Sequence, residues 1–271
     1  MKKWRKMLWV LIIVVIAVLV AWVLWANTAL QLNEIVLQES ALPTQFNGFR
    51  IAHLSDYHSS DLADAIIREL QEAKPDIICI TGDLIDQRSS EIESILNFSS
   101  ALVKIAPCYF ITGNHETMVT KELYDALLKG LSDNGVTVLD DREVIIHRNG
   151  AQIALAGHFW GDTESIADIS AFDGYRILLS HHPEAMNDYA EGGYDLVLTG
   201  HAHGGQVRIP FVGGLYAPGQ GLFPQYDAGL YTKENTDMIV SRGIGNSTIP
   251  LRVNNRPEVI LVELRCLTQE S

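Results

Sequence analysis

Three observations predict an α/β fold whose chemistry is gathered along one sheet edge. From about Asn33 onward, short Ile-, Val- and Leu-rich runs alternate with amphipathic segments. Five of those runs end directly in residues able to bind metal, and an apolar segment of separate composition precedes them all. At 271 residues and 47% hydrophobic content the chain can build one sizeable domain around a buried core.

The N-terminal segment stands apart from the rest in composition. Lys2, Lys3, Arg5 and Lys6 are followed by Met7 to Ala26, which carry no charge. Twenty apolar residues in a helix span ~30 Å, the thickness of a bilayer hydrocarbon core. A cleaved secretory signal would have a shorter apolar run, ~7–15 residues, ending in a small-x-small site. Here Trp22 and Trp25 occupy that place, so an uncleaved anchor is predicted. Trp4, Trp9, Trp22 and Trp25 fall near the two ends of the span, where indole rings favour the lipid–water interface. The basic cluster predicts a cytoplasmic N-terminus and an extracytoplasmic domain, giving a single-pass protein of the cell membrane. The division is residues 1–30 as basic tail and anchor, and 31–271 as the folded domain that carries the polar clusters.

Beyond the anchor the charge balance is acidic. Without its four basic residues the chain has 16 basic against 33 acidic residues, a formal charge of −17. That excludes nucleic acid as a general surface partner, which needs an excess of Lys and Arg. Cys79, Cys108 and Cys266 form no CxxC pair, and Cys79 and Cys108 sit in apolar runs as small buried residues.

The elements follow in order. Arg50 to Leu54 reads as a strand, and Asp61 to Glu72 as a helix capped by Asp61, with Leu62, Ala65, Ile66 and Leu70 on one face. Ile77 to Ile80 is a second strand, Glu91 to Leu102 a helix, Cys108 to Ile111 a third strand and Thr120 to Leu131 a helix. Val144 to Ile146 and Ile153 to Leu155 flank Asn149-Gly150, a tight hairpin signal. Ile177 to Leu179, a short helix near Glu184 to Ala190, and Leu196 to Leu198 come next, with closing strands at Met238 to Ser241 and Val259 to Leu264. Gly204 to Thr236, rich in Gly, Pro and aromatic residues, reads as a long functional loop.

The polar residues cluster at strand ends. Asp56 and His58 follow the first strand, Asp83 and Asp86 the second, and Asn114, His115 and Glu116 the third. His181 and His182 follow Ile177 to Ser180, and His201 and His203 follow Leu196 to Thr199. Carboxyl ends of parallel strands share one edge, so these side chains can converge. Taken singly, His53, His147 and His158 are read as structural, and an Asp at a strand end as a turn or helix cap. Recurrence at five ends points instead to borderline divalent ions such as Mn, Fe or Zn. Thiolates are absent from the set, which argues against a structural zinc site. Gly82, Gly113 and Gly200 each precede one of these residues, where a bare backbone permits a sharp exit from the strand.

In order, Asp56-Tyr57-His58, Gly82-Asp83-Leu84-Ile85-Asp86, Gly113-Asn114-His115-Glu116, His181 and Gly200-His201-Ala202-His203 resemble the D-x-H, G-D-x-x-D, G-N-H-[DE], H and G-H-x-H blocks of calcineurin-like metallophosphoesterases. The likeness runs from about Arg50 to Arg265. The Gly204-Gly205-Gln206, Gly213-Gly214, Pro218-Gly219 and Ser241-Arg242-Gly243 segments resemble the branch of bacterial, often membrane-anchored or exported, phosphodiesterases. The resemblance implies a two-sheet α/β sandwich flanked by helices, here preceded by one transmembrane helix. It also implies two divalent metal ions, with Asp56, His58 and His203 on one, Asn114, His181 and His201 on the other, and Asp83 bridging. His182 would lie beside the site, Asp86 and Glu116 would orient neighbours, and His115 resembles the general acid.

The chemistry so implied is a metal-bridging hydroxide attacking phosphorus in line, between cations about 3.5–4 Å apart, while His115 protonates the leaving oxygen. Asp56 or Glu116 would keep His115 oriented. The expected substrate is a phosphate ester, most simply a diester, with a lipid head group or envelope metabolite suggested by location. The Gly204 to Thr236 segment would either wall the substrate site or pack on itself. The alternatives are a phosphomonoesterase, a catalytically idle metal-stabilised binding module, and an amidase or peptidase; the last lacks an H-E-x-x-H motif.

Overall fold

The computed structural model describes residues 2–161, 172–246 and 251–267. Helix α1 (Lys2–Thr28) is long and apolar enough to cross a membrane, and its side chains are exposed along nearly its whole length. Strand β1 (Gln31–Glu39) begins two residues later.

Two six-stranded sheets follow from alternating burial. Sheet one holds β1, β2 (Phe49–Leu54), β3 (Ile77–Thr81), β4 (Cys108–Ile111), β5 (Thr137–Val138) and the last strand, β16 (Glu258–Cys266), in the order β1-β16-β2-β3-β4-β5. Helices α2 (Ala63–Ala73), α3 (Glu93–Leu102) and α5 (Lys121–Asp133) cover its outer face. Sheet two runs β14-β15-β9-β8-β7-β6. Its strands are β6 (Arg142–Arg148), β7 (Ala151–Gly157), β8 (Arg176–Leu179), β9 (Leu196–Thr199), β14 (Gly229–Lys233) and β15 (Thr236–Val240). Helix α6 (Met186–Glu191) lies on its outer face.

Consecutive residues on a strand point to opposite faces, so each central strand feeds two cores. Ile51, Cys79, Ile177, Leu198 and Ile239 fill the layer between the sheets. Ala52 and Ile78 turn to the helices of sheet one, and Leu178 and Val197 turn to α6. The Asn149-Gly150 turn joins β6 to β7 with both residues at positive φ, 51° and 85°, as the tightest hairpin turn requires.

Several sequence expectations need correction. Asp61 does not cap α2; the helix starts after Leu62 and has no side-chain cap. The predicted order began near Asn33 without a strand, whereas Gln31–Glu39 is a nine-residue edge strand beside β16. Its exposure alternates imperfectly, which hid the period-two signal. Asn114–Met118 forms a short helix, α4, where a turn was expected, and Thr137–Val138 adds the short strand β5. Gly204 to Thr236 is not one long loop. It contains the hairpin of β10 (Arg208–Ile209) with β11 (Gly213–Gly214), that of β12 (Tyr216–Ala217) with β13 (Gly221–Leu222), and then β14, which pairs with β15. Two-residue strands carry too little pattern to be read from sequence.

At the sheet end away from the metal-binding edge, Glu39 is pushed up to about 7 by burial and by Asp237 in β15, with Asp195 adding to the shift. Its folded value lies above the ordinary carboxylate value, so the folded state holds the proton more tightly. The stability this contributes is complete below about pH 4.5 and declines as pH rises to about 7. Glu39→Gln should therefore melt higher relative to wild type at pH 8 than at pH 5, read by circular dichroism at both pH values.

Candidate metal centre

The β2–β3 ladder continues past the strand ends and builds half of the site. Asp56 N–H donates to the Gly82 carbonyl at 3.1 Å, His58 N–H to Asp83 at 2.9 Å and Ser59 N–H to Leu84 at 3.0 Å. Between the two, Tyr57 turns inward and stacks on Phe98 of α3 with ring centroids 4.5 Å apart. Alternation thus leaves Asp56 and His58 on the side facing Asp83.

Asp56, His58, Asp83, His201 and His203 all have left-handed backbone, with φ between 46° and 67°. Left-handed geometry at a non-glycine residue costs on the order of 1 kcal/mol or more, so five together are held by their surroundings. Gly82 shares that geometry with φ 82°, and a Cβ there would meet the Gly113 Cα at 2.6 Å. Gly200 is different, because its φ is ordinary for an L-residue and a Cβ would strike the Ser55 hydroxyl. Close packing, rather than a sharp exit, requires glycine at that position.

The predicted residues from five strand ends converge. Asp83 Oδ2 lies 3.3 Å from His181 Nε2, 3.6 Å from His58 Nε2 and 3.9 Å from His115 Nε2. His203 Nε2 is 3.3 Å from Asp56 Oδ1 and 3.3 Å from His58 Nε2. Two groupings with metal-binding geometry result, Asp56-His58-Asp83-His203 and Asp83-His181-His201, and they share Asp83. A third joins His58, Asp86 and His115. Asn114 stands at the start of α4 with its Oδ1 buried.

The donors suit divalent cations. Asn114 Oδ1 is buried without a hydrogen-bond partner, a costly arrangement unless a cation meets it, while Asp83 Oδ2 and His181 Nε2 face each other at 3.3 Å as a buried ion pair. Burial pushes His58 down to about 4 and His201 to about 3, and lowers His203 as well, leaving neutral rings with free lone pairs. Burial would lower His181 too, but Asp83 and Asp56 outweigh it and raise it to about 9. The carboxylates that hold a proton on His181 would equally hold a cation there. Burial alone would raise Asp83; His181, His58 and His115 reverse that and hold it low. Asp56 is raised to about 6, chiefly by burial.

Supporting contacts fix this set. His181 Nδ1–H donates to the Thr81 carbonyl at 2.6 Å, which aims Nε2 at Asp83. Glu116 accepts N–H bonds from Asp83 at 2.9 Å, Gly113 at 2.8 Å and Ile85 at 3.2 Å, tying the β3 and β4 loops together. Neither Glu116 nor Asp56 is the carboxylate beside His115 Nδ1, contrary to expectation. That place belongs to Asp86, at 3.9 Å, while the Gln87 N–H donates to Nδ1 at 3.0 Å. His53 is structural, bonded to the Thr81 hydroxyl at 2.8 Å, and His147 is exposed.

Sequence reading missed Trp160, whose ring stacks on His182 at 3.8 Å and lies 4.8 Å from His201. The strand-end rule could have found it, since Trp160 lies just beyond β7 at the same edge. His182 sits beside the cluster, between Trp160 and Glu184. Of the aromatic residues after Gly205, Tyr226 packs on Tyr231, while Phe211 and Phe223 are exposed.

Removing Glu116 should uncouple the two loops. Glu116→Ala leaves three buried N–H groups unmet, an expected loss of about 3 kcal/mol or more in denaturant unfolding. Metal affinity should fall about 10- to 100-fold in a chelator titration.

The sequence comparisons agree with this chemistry. Residues 49–205, over half of the chain, match the calcineurin-like phosphoesterase family. Over 225 residues the chain is 32% identical to phosphodiesterase YaeI of Escherichia coli (strain K12), covering 80% of this chain and 82% of that protein. It is 30% identical over 266 residues to the uncharacterized metallophosphoesterase YkuE of Bacillus subtilis (strain 168), covering 87% and 86%. A transmembrane protein with metallophosphoesterase domain from Bos taurus is 31% identical over 245 residues, which are 80% of this chain and 53% of that protein. With the Asp and His side chains gathered at one sheet edge, the chain belongs to the calcineurin-like phosphoesterase family and is a metal-dependent hydrolase of phosphate esters.

Proposed function

We propose that the chain is a membrane-anchored phosphodiesterase that holds two divalent cations, of Mn, Fe, Zn or a mixture. Asp56, His58 and His203 would hold one, Asn114, His181 and His201 the other, and Asp83 both. The observation that carries this reading is the meeting of two donor groupings at Asp83. The name of the phosphodiesterase relative from Escherichia coli favours diesters. Residues 1–30 would be the anchor and 31–271 the catalytic domain, outside the cytoplasm by the charge of the N-terminal tail.

Bound there, the cations would supply hydroxide near neutral pH and neutralise charge on the phosphoryl oxygens. The chain's own residues do the rest. His115 Nε2 faces the cluster, and its Nδ1 accepts the Gln87 N–H. Asp86 Oδ2, 3.9 Å from Nδ1, places negative charge beside the ring and so favours the imidazolium form, from which Nε2 would give its proton to the leaving oxygen. Asp83 Oδ1 accepts the His115 N–H at 2.9 Å, so the donor's backbone is fixed to the carboxylate at the centre. Trp160 and His182 form a flat wall beside His201 against which the substrate's organic group can lie.

Bis(p-nitrophenyl) phosphate with Mn²⁺, against a chelated control, tests the reaction, and p-nitrophenyl phosphate separates diester from monoester preference. His115→Gln should keep its metal by elemental analysis and lose about 10²- to 10⁴-fold in kcat. Asp83→Asn should lose both metal and turnover. Full activity in His115→Gln, or in chelated wild type, would overturn the mechanism. A C-terminal reporter active only outside the cytoplasm should be active when fused to the chain; a silent fusion would reverse the orientation.

A further inference from the structure

The anchor enters the domain at the metal-binding edge. Ile260 of β16 pairs antiparallel with His53 of β2, and Gln31 of β1 pairs parallel with Glu258. Strand β1 therefore begins level with the carboxyl end of β2, where Asp56 lies. Two residues, Ala29 and Leu30, separate α1 from β1, so the helix end lies at most ~11 Å from the strand start.

One loop braces helix and site together. The Asn27 side chain, in the last turn of α1, accepts the Arg252 N–H at 2.7 Å and donates to the Arg252 carbonyl at 2.9 Å. Arg256 donates to the carbonyls of Ala29 and Leu30, both at 2.8 Å, and lies over the Trp25 ring at 4.8 Å. In the same loop Asn255 donates to the His203 carbonyl at 2.7 Å, and Val253 accepts the Arg208 N–H of β10 at 2.9 Å. The anchor, the cluster and the β10–β13 hairpins are thus fixed to one another. Trp25 beside Arg256 is the aromatic and cationic pairing that marks a helix end at the lipid–water boundary.

Exposed apolar side chains collect beside this brace. Outside α1 the described residues expose eleven large apolar side chains, and six of them lie between Ile209 and Phe223. Phe211 is fully exposed, and Val212, Leu222 and Phe223 are each more than half exposed. Phe211 and Phe223 also have left-handed backbone, φ 67° and 54°, which a bulky residue rarely adopts. Solvated aromatic rings in that geometry are unfavourable on both counts, and lipid removes the first.

We propose that the domain lies on the bilayer with its metal-binding edge toward the lipid, dipping Phe211, Val212, Leu222 and Phe223 into the interface beside the anchor. The site then meets phosphodiesters presented in the head-group layer, which makes a membrane lipid the substrate class. The inference rests on α1 being an anchor and on the metal centre being catalytic.

The full chain in phosphatidylcholine–phosphatidylglycerol vesicles tests it, with an environment-sensitive fluorophore on Phe211→Cys in a Cys266→Ser background. The probe at Phe211 should shift to the blue and be quenched by brominated lipid; the same probe on Lys104→Cys, at the opposite sheet edge, should do neither. Wild type should hydrolyse hexadecyl p-nitrophenyl phosphate in vesicles with kcat/KM about tenfold or more above that for soluble methyl p-nitrophenyl phosphate. Phe211→Asp with Phe223→Asp should abolish that preference and leave the soluble rate unchanged. An unquenched probe at Phe211 on an anchored, active enzyme, or no preference for the vesicle-held ester, overturns the proposal. Release of the chain by carbonate removes the anchor and overturns it too. Failure of wild type on every soluble ester strikes the catalytic reading and the substrate class, while the quenching still reads the docking.

Discussion

Everything in the metal centre is arranged around the buried carboxylate of Asp83. Its Oδ2 faces three imidazoles within 4 Å, nearest of them His181 at 3.3 Å, while its Oδ1 is taken by the His115 N–H. A buried anion so placed is costly unless positive charge meets it; the protonated His181 ring supplies that charge here, and a cation would do the same. The strained backbone of five neighbouring residues has the same origin. Left-handed turns are the means by which strands only 4–6 residues long turn polar side chains back over their own ends.

That geometry needs two sheets. Sheet one delivers Asp56, His58, Asp83 and Asn114, and sheet two delivers His181, His201 and His203. Both groupings that share Asp83 draw residues from the two sheets, so the apolar layer between them, with Ile51, Cys79, Ile177 and Leu198 at its centre, sets the distance across the cluster. Glu116 serves within sheet one, and the His201 N–H bonds to both Asp56 oxygens, at 3.1 Å each, between the sheets. Native-like spacing of the donors thus depends on core packing far from the chemistry.

Arg252 extends the same network to the N-terminal helix. It is fully buried, its guanidinium is pushed down to about 10 by burial, and it donates to the carbonyls of Arg242 and Gly245. Gly245 N–H in turn donates to the Asp56 carbonyl at 2.7 Å. The helix end, the loop before β16 and a cluster residue therefore form one hydrogen-bonded unit, and the helix end cannot swivel without disturbing Asp56.

Local pattern was enough for much of this molecule. Apolar periodicity located the long central strands, the helices α2, α3 and α5, and the anchor-like segment, because each repeats a burial rule over several residues. Polar residues at five strand ends likewise named the cluster, since parallel strands must deposit their carboxyl ends along one edge. Tertiary structure decided what has no local period. The carboxylate beside His115 is Asp86 rather than Asp56 or Glu116, because loop packing and not spacing brings them together. Trp160, Asn255 and Arg252 act through contacts with residues distant in sequence. Composition and spacing determined which chemistry the chain carries. Which way that chemistry faces was decided by the pairing of β1 with β16, a contact across more than 220 residues that no local preference specifies.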